Sequence, residues 1–231
     1  MRHGQPSDLR RGYNAWLRRS HVQVMAGPLG FAWMNTPLVW RWRRLGLRPT
    51  DRVLDVGCGT GAMLAFLAAR VKPTAGWHGV DVSESFLSFA RRLISRRGFA
   101  GHIHFAAGSA QALPYADGSF EVVLSSHVLH HVPAEQLPGI FAEAYRVLRP
   151  GGISLWWAFD RKPIPEEQEK VLRVLGRARA PEEIMRNLFF HTRREIEEHL
   201  CRAGFQTRQL LLGRFLVPPV PRFSIAAVRP G

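Results

Sequence analysis

Cysteine is scarce in this chain, and long uncharged apolar runs are missing. Only Cys58 and Cys201 occur among 231 residues, too few and too far apart for a cysteine metal site or a disulfide framework. This usage predicts a reducing, cytoplasmic setting. No uncharged apolar stretch reaches about 20 residues, which argues against a membrane-spanning helix. The opening MRHGQPSDLRRG has no apolar core behind its charges, so we expect no signal peptide.

Acidic residues are also few. The chain has 18 Asp and Glu against 32 Lys and Arg, a formal net charge of +14. Such a charge favours anionic partners, namely nucleic acid, membrane lipid or an acidic substrate, but an arginine-rich solvated surface would look the same. The hydrophobic content of 46%, with 14 Phe and 7 Trp, argues against disorder and suffices for one full-sized core.

The first 50 residues differ from the rest of the chain. They hold nine Arg, a single acid (Asp8) and four of the seven Trp. Two helices are predicted here, over 13–27 and over 36–47, each ended by a glycine signal. We therefore predict a helical cap or lid over 1–50 and a ligand-binding domain over 51–231. That domain contains a charged, proline-punctuated helical insert at 161–190.

Strands alternate with helices after residue 51. The predicted strands are 52–56, 77–82, 102–108, 119–126, 153–159, about 205–212 and 222–228. The predicted helices are 62–71, 83–97, 134–148 and 192–204. This alternation predicts an α/β fold with a mostly parallel sheet and helices on both faces. A ligand in such a sheet binds outside the carboxyl ends of the strands, where the strand order reverses.

The stretch VLDVGCGTG follows this rule, because its glycines come directly after the first strand. Gly57, Gly59 and Gly61 resemble the dinucleotide fingerprint in spacing, which alone is weak evidence. Asp55 precedes them in the strand, where a carboxylate would repel a pyrophosphate and attract an ammonium group. Asp81 ends the second strand and suits the two hydroxyl donors of a ribose. The pattern therefore indicates a ligand with a cationic head and a ribose.

Four ordered motifs carry a family resemblance. VLDVGCGTG, GVDVSESFL, GSAQALPYADGSFEVVLSSHVLHHV and EAYRVLRPGG resemble those of class I S-adenosylmethionine-dependent methyltransferases, most of all the branch that methylates small molecules and lipids. The resemblance implies a Rossmann-like three-layer α/β sandwich with N-terminal helices. Its sheet would be mostly parallel and seven-stranded, with an antiparallel C-terminal strand. It also implies S-adenosyl-L-methionine as cofactor.

The resemblance assigns roles residue by residue. Asp55 would orient the methionine ammonium, the glycines would admit the cofactor to the backbone, and Asp81 would bind the ribose. Ser109 stands where the family often has Asp, and a neutral acceptor binds the adenine amino group more weakly. The cofactor-binding residues implied are Asp55, Gly57, Cys58, Gly59, Gly61, Asp81, Val82, Phe86, Ser109, Ala110, Ser125 and Ser126.

Methyl transfer from a sulfonium is an in-line displacement, in which the protein positions the acceptor and, for some acceptors, removes a proton. No metal is needed. The candidate catalytic bases are His127, His130 and His131, which follow the fourth strand. If this segment is helical, His127 and His131 share a face. A packing or cofactor-holding role for these histidines is the alternative.

The acceptor is less well defined by the sequence. Large apolar residues in 1–50 and 161–190 favour a small apolar or lipid-like acceptor. Trp40 and Trp42 among arginines in 36–47 suggest peripheral membrane contact, with a lid over the acceptor as the alternative. No nucleic-acid-type motif follows the fourth strand, so nucleic acid is an improbable partner. An inactive cofactor-binding module, a partner subunit, and an RNA or protein methyltransferase remain alternatives. The oligomeric state is left open.

Overall fold

The computed structural model describes residues 35–160, 189–209 and 222–231. The helix predicted over 13–27 and all but the end of the predicted insert lie outside the described residues. The cap over 1–50 and the insert over 161–190 therefore stay predictions. Within the described parts of the chain, no helix is both long and apolar enough to cross a membrane.

The described elements follow the predicted alternation closely. The helices are α1 (Thr36–Arg41), α2 (Ala62–Val71), α3 (Glu84–Arg96), α4 (Leu137–Val147) and α5 (Arg193–Arg202). Single 3₁₀ turns lie at Trp42–Leu45, Leu129–His131 and Ala134–Gln136. The strands are β1 (Val53–Val56), β2 (Trp77–Asp81), β3 (Ile103–Ala107), β4 (Phe120–Ser126), β5 (Leu148–Phe159), β6 (Gln206–Gln209) and β7 (Arg222–Val228).

These strands form one seven-stranded sheet in the order β3-β2-β1-β4-β5-β7-β6. The pairs among β1 to β5 are parallel, whereas β7 runs antiparallel to both β5 and β6. The predicted fold class, including the antiparallel C-terminal strand, is confirmed. The strand order reverses between β1 and β4, which directs the carboxyl ends of these two strands toward one crevice.

Each face of the sheet is covered by its own apolar core. One core joins the sheet to α4 and α5, for example through Phe141 and Leu200. The other joins it to α2, α3 and the segment before β1, through residues such as Leu64 and Leu45. Both faces of strand β1 are covered, because all four of its residues are buried, as expected for a central parallel strand. The three-layer sandwich follows from this two-sided burial.

Local signals fix where several helices begin. The Ser83 side chain accepts from the Phe86 backbone N–H at 3.4 Å, so Ser83 is the N-cap of α3. Thr192 caps α5 in a capping box. Its side chain accepts from the Glu195 backbone N–H, and the Glu195 carboxylate accepts from the Thr192 backbone N–H at 2.7 Å. Gly204, at φ +98°, ends the turn after α5.

Two boundaries differ from the prediction. The single helix predicted over 36–47 is a short α-helix that tightens into a 3₁₀ turn at Trp42–Leu45 and stops at Gly46, at φ +69°. The helix predicted over 134–148 begins as a 3₁₀ turn and ends at Val147, while β5 already starts at Leu148. Gly151, at φ +71°, donates its N–H to the Arg229 carbonyl at 2.9 Å, so the chain passes Pro150 and Gly151 without leaving the sheet.

Candidate active site

The glycine loop after β1 is held against the end of β2 by backbone hydrogen bonds. Gly57 and Cys58 both donate their N–H to the Val80 carbonyl, at 2.8 Å and 3.0 Å. The Gly59 N–H donates to Asp81 Oδ2 at 2.9 Å. These bonds place the carboxylate of β2 directly beside the loop, as the sequence predicts.

Two glycines of the loop have different reasons to lack a side chain. Gly57 has φ +73°, and a Cβ there would lie 2.3 Å from Val128 Cγ2, which is far inside contact distance. Gly59 has φ +50°, and no atom of the described structure lies within 4 Å of its would-be Cβ. Gly57 therefore serves packing against the loop after β4. The free space beside the half-buried Gly59 leaves room for a ligand.

The Cys58 side chain does not face the crevice. It is buried in the core on the α2 and α3 side, and a Cβ on Gly79 of β2 would lie 2.8 Å from its sulfur. Burial raises the pKa of the thiol well above its ordinary value, and the nearby Asp55 and Asp81 raise it further. Cys58 can therefore offer a ligand only its backbone, because its side chain packs in the core.

Asp55 is the most unusual residue of the site. It lies in β1 with 1% of its surface exposed, and its Oδ1 has no hydrogen-bond partner among the described residues. Burial raises its pKa well above the ordinary value, and the charge of Asp81 adds to this. A buried carboxylate without a cation is costly. A cationic ligand group in the crevice would supply the missing partner.

Asp81 is held in place by its own backbone bonds. Its Oδ1 accepts from the Ser83 N–H and its Oδ2 from the Gly59 N–H, both at 2.9 Å. Burial raises its pKa, and these backbone donors partly oppose the rise. A carboxylate offers about four lone-pair sites, so two bonds leave acceptor capacity for ribose hydroxyls.

The predicted adenine side lies around the ends of β2 and β3. Val82 directly follows Asp81 and is 45% exposed, whereas Phe86 is buried in the first turn of α3. The exposed Ser109 uses its Oγ to accept from the Gln111 N–H at 3.2 Å. Ala110 packs against the core. Ser109 is thus partly occupied as a turn residue, which weakens it further as an adenine partner.

The end of β4 and the loop after it carry the implied cofactor-binding serines and the candidate catalytic histidines. Ser125 is buried, and its Oγ has no partner within the described part of the chain. Ser126 Oγ lies 2.8 Å from His127 Nδ1. His127 itself adopts φ +57°, a left-handed backbone that is uncommon outside glycine. The chain therefore turns sharply at His127 and presses the next residue, Val128, onto the glycine loop.

This segment is not α-helical. It forms a 3₁₀ turn over Leu129–His131, so the condition under which His127 and His131 would share a helical face is not met. Instead the rings of His130 and His131 lie 4.0 Å apart. The cause is the left-handed residue at the strand end, which prevents an α-helix from starting there.

All three histidines have low proton affinity. Burial lowers the pKa of His127 to about 3 and that of His131 to about 4. The pKa of His130 falls well below its ordinary value, first through burial and then through His131 and His127. They are therefore neutral at neutral pH and are weak bases. Their role as the general base stays a prediction, with hydrogen bonding and packing as the alternative.

Several residues around this loop are not apparent from the sequence motifs. Phe159, at the end of β5, lies with its ring 5.1 Å from His127 and 4.7 Å from His130. The guanidinium of Arg222, the first residue of β7, lies 4.9 Å from the Phe159 ring centre. Phe190 is 40% exposed and stacks near His130. The antiparallel last strand is the signal that could have found Arg222, because such a strand starts at the ligand edge.

Comparison with known proteins decides the family of this site. A family model described as a methyltransferase domain matches residues 53–152. This part of the chain is a methyltransferase domain. The match contains β1 to β4, the glycine loop, Asp55, Asp81 and the three histidines, so the family predicted from the motifs is confirmed for the domain that holds the candidate site.

The chain is also similar to curated proteins that are named as methyltransferases. The chain is 35% identical over 146 residues to a ubiquinone/menaquinone biosynthesis C-methyltransferase of Dinoroseobacter shibae, covering 63% of this chain and 56% of the relative. It is 40% identical over 116 residues to a fatty-acid O-methyltransferase of Mycolicibacterium smegmatis, covering 50% and 40%. The matches thus span about half the length of these relatives.

Among solved structures, the (4+2)-cyclase SpnF is similar with a TM-score of 0.58 and 26% identity, covering 76% of this chain and 59% of that one. A protein with a similar fold is therefore named for a reaction other than methyl transfer. The methyltransferase domain needs its own chemical test in this protein.

Proposed function

We propose that this protein transfers the methyl group of S-adenosylmethionine to a small apolar acceptor by in-line displacement. The observation that carries the proposal is the buried carboxylate of Asp55 beside the glycine loop. It needs a cation, and the α-ammonium of a methionyl group is the cation that the family resemblance implies at this position. Asp81 and the open backbone at Gly59 fit the ribose beside it.

The chain's own residues would then divide the work. Asp55 binds the ammonium and Asp81 the ribose hydroxyls, while Val82 and Phe86 flank the adenine. Ser125 and Ser126 lie below the methionyl group. The bound cofactor supplies the activated methyl, and the protein holds the acceptor in line with it and excludes water.

The apolar nature of the acceptor is supported by the relatives and by the aromatic residues at this edge. One curated relative is named for ubiquinone and menaquinone biosynthesis and another for fatty acids. In this chain, Phe159 and the exposed Phe190 lie beside the histidine loop. A quinone precursor or a fatty acid would place its hydrocarbon part against such rings.

Cofactor binding is tested by thermal unfolding with S-adenosylmethionine, S-adenosylhomocysteine and, as the control ligand, NAD. A ligand at 100 times its Kd stabilises the folded protein by about 2.7 kcal/mol, roughly 5–11 °C in a chain of this size. Methyl transfer is then tested with labelled cofactor and a lipid and metabolite extract. A shift with NAD alone, or labelled cofactor bound without any labelled product, would count against the proposal.

The second candidate is a cofactor-binding module without methyl transfer. The weak basicity of His127, His130 and His131 favours it, because an acceptor that must lose a proton would find no strong base there. Replacing each histidine by Ala separates the two cases. A true base should give a turnover loss of roughly 10²–10⁴-fold with unchanged cofactor affinity.

We further infer that the protein works in the cytoplasm and touches the membrane surface through 36–47. Trp40 is 70% exposed, whereas Trp42 is half-buried with the Arg43 guanidinium 5.1 Å from its ring centre. One tryptophan thus packs on the fold and the other faces outward among exposed arginines. An interfacial tryptophan next to cations suits an anionic leaflet, where each cation contributes about 1 kcal/mol.

A further inference from the structure

Buried polar atoms without a hydrogen-bond partner collect at the ligand edge of the sheet. Such atoms are rarely left unpaired in folded proteins. Within the described part of the chain, those near the carboxyl ends of β1, β4 and β5 or in the loop after β4 include Asp55 Oδ1, Ser125 Oγ, His127 Nε2, His130 Nδ1 and Trp157 Nε1. In the proposed function the cofactor ammonium meets Asp55. The atoms at and after the end of β4 then still need a partner, which a second ligand at this edge would supply.

His127 differs from its neighbours because hydrogen bonds hold both its backbone and its ring. Its backbone N–H donates to the Trp157 carbonyl at 2.9 Å, and its Nδ1 lies 2.8 Å from Ser126 Oγ. The left-handed backbone at φ +57° sets the direction in which the side chain leaves the strand end. One nitrogen of the ring is thus fixed by the protein, whereas the other, Nε2, is buried and has no partner in the described structure.

The bond to Ser126 decides what Nε2 can do. In a neutral imidazole one ring nitrogen carries the proton and the other accepts a hydrogen bond. Within the described residues, Nδ1 is the acceptor that lies within reach of the Ser126 hydroxyl, so we assign the hydroxyl proton to this bond. The ring proton is then on Nε2, which becomes a donor. Burial, which lowers the pKa of His127 to about 3, keeps the ring neutral and agrees with this assignment.

We propose that His127 donates its Nε2–H to an oxygen of the methyl acceptor, and that Ser126 is the positioning residue that holds the ring in this tautomer. The inference rests on the proposed function and adds one requirement to its acceptor, a carbonyl or hydroxyl oxygen beside the apolar part. Phe159, whose ring centre lies 5.1 Å from that of His127, would contact the apolar part. A hydrogen bond in such weakly solvated surroundings is stronger than in water. The imidazole accepts no proton in this role, so a weak base suffices.

The tautomer is tested by nitrogen NMR of histidine-labelled protein loaded with S-adenosylhomocysteine, between pH 5 and 8. We expect the His127 signals, assigned by their loss in His127→Gln, to show one neutral form with the proton on Nε2 throughout this range. Ser126→Ala should give a mixture of the two neutral tautomers, and Ser126→Thr, which keeps the hydroxyl, should restore the single form. A proton on Nδ1 in the unmodified protein, or an unchanged spectrum in Ser126→Ala, would overturn the inference.

The oxygen contact is tested with two probes of the same shape, whose affinities for the loaded protein are measured by calorimetry and thermal shift. Undecan-2-one presents a carbonyl oxygen, and 2-methylundec-1-ene replaces that oxygen by a CH₂ group. The ratio of the two affinities isolates the hydrogen bond from the burial of the chain. We expect the unmodified protein to bind the ketone, and no detectable ketone binding would count against the inference.

Variants assign the contact to His127. His127→Phe keeps a planar ring but removes the donor, so the ketone-to-alkene affinity ratio should fall about two- to ten-fold, as expected for a lost neutral hydrogen bond. His127→Gln, whose amide can still donate, should retain part of the ratio. Trp156→Phe is the matched control, because it removes a buried unpartnered N–H from the face of β5 that packs on Phe141 of α4. An unchanged ratio in His127→Phe, as expected if Nε2 bonds a water instead, refutes this inference alone. Absent cofactor binding in the unmodified protein refutes the proposed function.

Discussion

Replacing Asp55 by Asn should make the ligand-free protein more stable and the cofactor complex weaker. The ionised carboxylate is buried, and its Oδ1 has no partner in the described structure. Its pKa is raised in the folded state, so the ionised form is stabilised less than in the unfolded chain. The pKa of Asp in an unfolded chain is about 3.9. Below this pH the raised pKa of Asp55 contributes its full stabilisation to the folded state. This stabilisation is lost as the pH rises through the pKa of Asp55 in the folded protein.

At neutral pH the charge therefore costs free energy, which Asn removes while keeping the shape. We expect a gain of about 1–3 kcal/mol in the free energy of unfolding, the usual penalty of an unsatisfied buried group. In a chain of this size, each kcal/mol corresponds to about 2–4 °C in melting temperature. With cofactor bound, the loss of a buried ion pair costs about 3–5 kcal/mol, so affinity should fall by at least about a hundred-fold.

The assay is denaturant unfolding between pH 5 and 8, with and without S-adenosylhomocysteine. Without ligand, the stability advantage of Asp55→Asn should shrink toward low pH, because the protonated acid resembles the amide. Asp51→Asn is the matched control. Asp51 is equally buried but bonds Arg48 at 2.8 Å and 3.0 Å, so its amide variant should lose stability. A ligand-free Asp55→Asn protein that is less stable at pH 7, or that binds the cofactor normally, would refute the reasoning.

Four further outcomes are expected. Asp81→Ala should weaken cofactor binding by roughly 1–3 kcal/mol in calorimetry, and an unchanged Kd would exclude the ribose role. Gly57→Ala should lower the melting temperature more than Gly59→Ala, because only the first Cβ meets another side chain; equal shifts would contradict this. The pKa of His131 is depressed to about 4, so its stability contribution is complete above about pH 6.5 and is lost as pH falls toward 4. His131→Gln should flatten acid unfolding across that window, and an unchanged profile would argue against burial as the cause. Finally, Trp40→Ala should abolish flotation with anionic vesicles at low salt, provided that the unmodified protein floats with anionic but not with neutral vesicles.

The sequence predicted the layers of the fold well, for identifiable reasons. Local signals such as the Ser83 cap and the alternation of apolar strands with helices act over a few residues, so they can be read without tertiary contacts. The glycine loop likewise carries its own backbone requirement. Asp55 and Asp81 follow from their places at strand ends.

The acceptor side was less predictable because it depends on long-range placement. The left-handed backbone of His127 has no local glycine signal, so the sequence left open whether the histidine segment is helical. Arg222 reaches the site only because β7 is inserted antiparallel next to β5. The low pKa values of the histidines arise from burial by elements far apart in the chain.

The contact between Gly57 and Val128 couples the two sides of the proposed site. Val128 belongs to the loop proposed to face the acceptor, and its methyl groups occupy the space that a side chain at position 57 would fill. A change at Val128 that reshapes the acceptor side would therefore also move the loop that holds the cofactor. Evolution of a new acceptor preference in this protein is constrained at that position: residues 57 and 128 should change together or remain fixed together.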